Sequence, residues 1–172
     1  MTSAQLDLPS ALRAPTNGGA YRQRLMLIRE PAPELRALGE LLRGPEDAYR
    51  IMQRDYADSP QEVFVAFYLN TKHRICEVRE MTRGTLDMCL ITPRDVFGPA
   101  LLCCAAGVII AHNHPSGDPS PSAEDRLVTR QLGDAGRTLC IPLMDHIVCG
   151  FGAYSSLADE CADRLAGVGG RR

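Results

Sequence analysis

Apolar and polar positions along the chain follow two periods, one typical of strands and one typical of helices. Residues 62–70 (EVFVAFYLN) are rich in β-branched and aromatic side chains and predict a strand. Alternation along a strand divides its apolar side chains into two sets, Phe64, Ala66 and Tyr68 on one face and Val63, Val65, Phe67 and Leu69 on the other. Because both sets are apolar, we expect this strand to be covered on both sides.

The remaining patterns predict an alternation of strands and helices. Strands are predicted at 74–79, 85–91, 107–112 (GVIIAH), 139–143 and 145–150, with an edge extension at 154–156. Helices are predicted from Pro93 through Cys104 and from Ser122 to about Gly136, the second with Leu127, Val128 and Leu132 on its inner face. This order favours an α/β (α+β) fold, a layered domain with a mixed β-sheet flanked by helices.

Composition along the chain suggests four segments. Residues 1–20 are rich in Ser, Pro, Thr, Asn and Gly and are predicted to be disordered. Residues 21–58 form a short helical lead-in, in which the pattern from Pro33 to Ala57 breaks near Gly44 and predicts two short helices. The main domain is expected at 59–160, followed by a frayed tail at 161–172.

Overall composition narrows the class of protein. The 172 residues carry a net charge of −2, which gives no electrostatic case for binding nucleic acid or anionic lipid. No apolar run approaches the roughly 20 residues of a membrane span, and the first 20 residues do not resemble a signal peptide. The seven cysteines are odd in number and lie mostly in apolar runs, which is typical of reduced thiols. We therefore expect a cytoplasmic protein; its oligomeric state is left open.

The chemistry concentrates in the run His112-Asn113-His114-Pro115 and in the Ser122 and Asp125 that follow. Two histidines two residues apart on an extended segment point to the same side, so both imidazoles can reach one ion. The Gly- and Pro-rich loop after them can bring Asp125 back to the pair. Two imidazoles and one carboxylate are a known ligand set for catalytic Zn²⁺, although iron and manganese are also compatible with mixed nitrogen and oxygen ligands.

These residues resemble a known family. The run HNHPSGDPSPSAED fits the JAMM (MPN-plus) metalloprotease pattern of His-x-His, seven residues, Ser, two residues and Asp. The segments LITPRDVFGPAL, GVIIAHNHPSGDPSPSAED and LMDHIVCG are similar to the bacterial RadC branch of that family, and the resemblance covers roughly residues 45–157. It implies a cytidine-deaminase-like layered fold that carries zinc at the edge of its sheet.

The resemblance also implies a role for each site residue. His112, His114 and Asp125 match the metal ligands, and Glu62, at the start of the first predicted strand, matches the family's general acid/base. Ser122 would donate a hydrogen bond to the oxyanion of the substrate. The implied activity is zinc-dependent hydrolysis of peptide or isopeptide bonds in a peptide or protein substrate.

Simpler interpretations accompany these assignments. Ser122 and Asp125 also fit a capping box at the start of a helix, and we expect Asp125 to serve as ligand rather than as cap. The pair Asp145-His146 either orients a ligand imidazole or combines a turn residue with a satisfied core histidine. Asp118 can be explained as a turn former.

Two alternative functions stay open at this point. RadC proteins are historically linked to DNA repair, so the chain could be an accessory or interaction protein with little hydrolase activity. Longer members carry an N-terminal helix-hairpin-helix element for DNA, whereas this chain shows only the shortened helical lead at 33–57. A metal-bound but catalytically idle interaction module is the other alternative.

Overall fold

The computed structural model describes residues 37–84, 91–158 and 161. Three helices and five strands follow one another in chain order: α1 (Pro45–Tyr56), β1 (Val63–Leu69), β2 (Ile75–Arg83), α2 (Pro93–Leu102), β3 (Gly107–Asn113), α3 (Ala123–Leu139), β4 (Leu143–Cys149) and β5 (Tyr154–Ser156). Among the described residues, no helix has the length and apolar character needed to cross a membrane.

The strands form one five-stranded mixed sheet in the order β2-β1-β3-β4-β5. β1 lies antiparallel to both β2 and β3, and β5 lies antiparallel to β4 at the edge. β3 and β4 are parallel, a pairing that requires a crossover connection, and α3 provides it. The start of α3 is therefore delivered to the end of the sheet where β3 finishes.

The sheet is the middle of three layers, and the alternation predicted for β1 is confirmed. Phe64, Ala66 and Tyr68 pack with α2 and α3, while the other set packs with α1 on the opposite face. All seven β1 residues are buried. The predicted layered α/β (α+β) architecture with a mixed sheet flanked by helices is thus confirmed.

The second half of the chain departs from prediction at one helix end. α3 does not stop near Gly136 but continues to Leu139. In place of the strand predicted at 139–143, residues 139–142 are a helix end and loop, and only Leu143 belongs to a strand, β4. Cys140 closes α3 in the left-handed conformation, with φ 56°. A short apolar run does not reveal its own period, which explains the wrong assignment. Leu127 is also wrong as an inner-face residue because it is 43% exposed.

The helical lead-in holds one helix in its described part rather than two. Residues 37–39 form a turn, and Leu41 pairs with Arg74 in an isolated antiparallel bridge, so the first predicted helix is wrong there. The second corresponds to α1, which packs against β3 and β4. The predicted N-terminal disorder, the residues 85–90 of a predicted strand and the C-terminal tail beyond 161 lie outside the described residues.

Candidate metal centre

The candidate site lies where β3 ends. His112 follows Ile110 on the face of β3 that packs against α2 and α3, and it is fully buried. Phe64 on the neighbouring strand stacks on it, with ring centroids 5.9 Å apart and planes 10° from parallel. His114 lies one residue beyond the strand, where its backbone N–H donates to the Cys149 carbonyl at 2.8 Å. Strand pairing therefore holds both histidines in place.

The loop from 115 to 121 returns the chain to α3. Gly117 adopts φ +84°, and a Cβ there would meet the Phe151 ring at 2.2 Å, so only glycine fits. Its carbonyl accepts from the Phe151 N–H at 2.9 Å. This contact anchors the loop to the turn after β4 and delivers Ser122, the N-cap of α3, to the site.

Three predicted ligands converge. The Nε2 atoms of His112 and His114 lie 3.0 Å apart. The Asp125 carboxylate oxygens lie 3.2 Å from the His112 Nε2 and 3.7 Å from the His114 Nε2. A tetrahedral zinc ion with bonds of about 2.1 Å separates its ligand atoms by about 3.4 Å, and the three distances lie on both sides of that value.

Hydrogen bonding shows that this centre needs a proton or a metal ion between its acceptor atoms. The His114 Nδ1 lies 2.6 Å from the Asp118 carbonyl oxygen, which can only accept, so Nδ1 carries a proton and Nε2 of the neutral ring presents a lone pair. That lone pair meets the His112 Nε2 and a carboxylate. Such crowded acceptors repel one another unless a proton or a metal ion lies between them. The donor set therefore fits a divalent ion.

The ionisation behaviour of His114 and Asp125 reflects the same attraction. The Asp125 carboxylate raises the pKa of His114, against the effect of burial. Burial raises the pKa of Asp125, but His114, His112 and the bonds from Ser122 outweigh it and hold that pKa well below its usual range. At neutral pH the carboxylate is ionised and available to a cation.

The fully buried His112 behaves differently. Burial is the largest cause that lowers its pKa, with further lowering from His146 and His114, and Asp125 only partly opposes them. The ring is therefore neutral at physiological pH, the form that ligates a metal.

Asp125 takes part in the helix cap and is also placed as a candidate ligand. The expectation that it would not act as a cap is therefore wrong, and its role as a ligand stays a prediction. Its Oδ2 accepts from the Ser122 N–H at 2.6 Å, while its Oδ1 faces His112. Ser122 Oγ in turn accepts from the Asp125 N–H at 3.0 Å, which completes the capping box. Because that bond uses a lone pair, the Ser122 hydroxyl proton stays available to another acceptor.

Glu62, the predicted acid/base, lies at the same cavity. A cavity of about 400 Å³ is lined by Glu62, His114, Pro115, Ser116, Ser122, Glu124 and Asp125. Burial raises the pKa of the Glu62 carboxyl, His114 lowers it and Asp125 raises it further. The structure thus brings all five predicted site residues together, and their chemical roles stay predictions.

Asn113, between the two histidines, was not predicted to matter. Its side chain leaves β3 on the opposite face from His112 and is nearly buried. Oδ1 accepts from the Val63 N–H at 2.8 Å, and Nδ2 donates to the Gln61 carbonyl at 3.1 Å. Asn113 therefore holds the backbone on both sides of Glu62.

Replacing Asn113 with alanine should destabilise the fold by about 1–3 kcal/mol, since the buried Val63 N–H would lose its acceptor. Urea denaturation measures this loss. Asn70→Ala is the matched control, because the Asn70 Oδ1 also accepts from two backbone N–H groups but in an exposed turn that water reaches. Equal losses for the two variants would contradict the prediction.

A third histidine lies behind the site. His112, Asp125 and His146 bring one ligand atom each within 4.8 Å of one another, so this group could hold a metal ion. However, both ring nitrogens of His146 have near partners, the His112 Nδ1 at 2.9 Å and the Thr129 Oγ1 at 2.7 Å. Burial lowers the His146 pKa to about 4. The His112, His114 and Asp125 set includes two residues that line the cavity, His114 and Asp125, and it fits a metal better.

A second cavity adjoins the first. It measures about 440 Å³, shares His114 and Pro115 with the first cavity, and extends along Gln53, Ala57, Asp58, Ser59, Pro60, Asn113, Cys149, Gly150 and Phe151. The Phe151 side chain is 73% exposed, the most exposed large apolar side chain among the described residues. Space for a ligand thus lies on both sides of His114 and Pro115.

Sequence reasoning missed Asn113, Thr129 and the Asp118 carbonyl, and it left His146 open. The sequence held one local signal that could have identified Thr129. It is a polar residue on the buried face of α3, one helical turn after Asp125. The Asp118 carbonyl is a backbone group that contacts a side chain, and the Asn113 amide contacts two backbone groups. Composition reveals neither kind of contact.

The comparisons with known proteins agree with this geometry. The model of the RadC-like JAB domain family matches residues 42–162. A UPF0758 protein of Methanosarcina acetivorans is 45% identical over 116 residues, covering 67% of this chain and 51% of that protein. A UPF0758 protein of Shouchella clausii is 44% identical over 127 residues, covering 74% and 55%. This chain spans about half the length of the curated relatives it matches. On this evidence the chain belongs to the RadC-like JAB domain family.

Proposed function

We propose that the protein is a zinc-dependent hydrolase of peptide or isopeptide bonds. The observation that carries the proposal is the meeting of the His112 Nε2, the His114 Nε2 and the Asp125 carboxylate within 3.0–3.7 Å, at the wall of a cavity that Glu62 also lines. These three residues would hold the ion. A bound zinc ion supplies a Lewis acid and lowers the pKa of a coordinated water toward neutrality.

The residues of the chain then divide the remaining work. Glu62 accepts the proton of the attacking water and passes it to the departing amine. Burial raises the pKa of the Glu62 carboxyl toward neutral pH. A group whose pKa lies near the working pH can both accept a proton and return it. The Ser122 hydroxyl, with its proton unused by the cap, donates to the oxygen that becomes negative.

The shape of the site supports an extended substrate. The two cavities share only His114 and Pro115, so an extended chain laid across these two residues would occupy both cavities. Peptides have this form, and a lysine-linked branch presents the same amide. The mixture of exposed apolar and polar groups along the second cavity also suits a peptide more than a highly charged polymer.

The test couples metal analysis to cleavage. Protein purified without chelators should carry about one zinc per chain, as a three-ligand site predicts. It should cleave members of a library that contains linear peptides and peptides branched through the lysine ε-amine, and chelation should abolish cleavage. Absence of metal after purification and after titration with zinc would end the proposal. Metal binding without cleavage of either library would favour the idle interaction module.

A further inference from the structure

We propose that His146 and Thr129 form a hydrogen-bonded relay that holds His112 in the tautomer protonated on Nδ1, which presents the Nε2 lone pair to the candidate metal centre. The inference rests on the proposed function in one respect, that His112 is a ligand through Nε2. Both His146 and Thr129 are fully buried, on β4 and α3 respectively. They are positioning residues, since neither lies at the two cavities beside the candidate centre.

The direction of each hydrogen bond follows from one fixed point, the backbone carbonyl of Asp125. The Thr129 Oγ1 lies 2.6 Å from that oxygen, which has no proton to give, so the hydroxyl donates to it. A hydroxyl has one proton. The Thr129 Oγ1 also lies 2.7 Å from the His146 Nδ1. Because its only proton is already used, the hydroxyl must accept a hydrogen bond there, so the His146 Nδ1 carries the proton.

The same reasoning passes through the next ring. A buried neutral imidazole with a proton on Nδ1 presents a lone pair on Nε2. The His146 Nε2 lies 2.9 Å from the His112 Nδ1, so His112 Nδ1 must donate. A neutral His112 then has its lone pair on Nε2, the atom that faces His114 and Asp125.

The relay also joins two candidate ligands from different layers. It begins at the backbone carbonyl of Asp125 in the first turn of α3 and ends on His112 in β3, with β4 between them. A metal-ligating imidazole commonly donates its second N–H to a partner that fixes ring and tautomer. Here that partner is His146, and its tautomer is set by Thr129 on α3, the helix that also carries Asp125.

The first measurement reads the tautomers directly. A long-range proton–nitrogen correlation spectrum of the ¹⁵N-labelled, metal-free protein distinguishes protonated from unprotonated ring nitrogens. His112 and His146 should both be protonated on Nδ1 and unprotonated on Nε2. The exposed His73 provides the reference ring, and substitution of each histidine by glutamine assigns the signals. A proton on the Nε2 of His146 would overturn the proposal.

The second measurement uses Thr129 variants. Thr129→Val removes the only hydroxyl in the relay with little change of shape, and it should weaken zinc binding about 10–100-fold in competition with a chromophoric chelator. Thr129→Ser, which keeps the hydroxyl, should restore the wild-type affinity. Thr138→Val is the matched control, because the Thr138 hydroxyl makes the same bond to a carbonyl four residues back, Asp134, but faces no histidine. Its zinc affinity should be unchanged.

The outcomes separate this inference from the proposed function. If wild type and Thr129→Val bind zinc equally tightly, the relay is wrong and the hydrolase proposal stands. If wild type binds no zinc, the hydrolase proposal fails, and the tautomers of the metal-free protein still decide whether the relay exists. If Thr129→Val and Thr138→Val lose affinity equally, the effect belongs to α3 as a whole and the relay is rejected.

Discussion

Glu62→Gln should leave zinc content unchanged and lower turnover of a cleaved peptide by about 10²–10⁴-fold, the usual contribution of a general acid/base. Glutamine has the size of glutamate and can keep its place in the cavity wall, but it cannot accept the proton of the attacking water. Glu62 is not among the residues whose ligand atoms converge at the candidate centre. Kinetics on the peptide identified by the library, with metal analysis of the same sample, measures both effects.

Glu124→Gln is the matched control for this prediction. Glu124 lines the same cavity and carries the same charge, but it is exposed in the first turn of α3. Its replacement should change turnover little, so a loss in both variants would indicate a general effect of negative charge. Near-normal turnover by Glu62→Gln would remove Glu62 from the reaction.

Much of the fold could be predicted because its signals are local. β1 is predictable from a run of residues rich in β-branched and aromatic side chains, and the structure places its two sets of side chains in two different layers. Where the signal was weak, the prediction was wrong. The apolar residues near Leu139 fit either a helix end or a strand, and only packing of the finished α3 against β4 distinguishes the two.

The convergence of the candidate ligands was predictable for a related reason. His112 and His114 share one side of an extended segment, and the loop that follows is short enough to return Asp125 to them. The contacts that hold these residues in place could not be predicted in this way, because they depend on the register between strands that are distant in the sequence. Asn113 reaches Val63 only because β1 pairs with β3 so that Phe64 lies opposite His112. No spacing in the sequence reveals that pairing.

β3 positions both the candidate metal ligands and the candidate acid/base Glu62. Successive side chains point to opposite faces, so His112 faces the layer of α3 while Asn113 faces the other layer. The first contacts a candidate ligand from α3, and the second holds the backbone around Glu62. The candidate ligand His112 and the residue that holds the backbone around Glu62 are thereby neighbours on one buried strand, which limits the motion of the two groups relative to each other.

Asp125→Asn should weaken zinc binding by more than about 100-fold, because it removes the only acidic side chain among the three candidate ligands. This loss is larger than the loss of about 10–100-fold expected when a partner that only supports a ligand is removed. The amide keeps the helix cap, because its oxygen can accept from the Ser122 N–H. Its NH₂ group can then donate to the lone pair of the His112 Nε2, 3.2 Å from the present carboxylate oxygen. Isothermal titration with zinc and thermal unfolding of the metal-free protein should therefore show lost binding in a folded chain.

Ser122→Ala tests the two roles of Asp125, helix cap and candidate metal ligand, by weakening the cap and leaving the carboxylate intact. The variant deletes the acceptor of the Asp125 N–H and should cost about 1 kcal/mol in the free energy of unfolding, as loss of an N-cap does. It leaves both carboxylate oxygens in place, so zinc affinity should stay within a few-fold of wild type. Nearly normal zinc binding by Asp125→Asn, or an equal loss in Ser122→Ala, would mean that the capping box alone explains why an acid stands at 125. The ring nitrogens 3.0 Å apart would then be held together by a proton rather than by a metal.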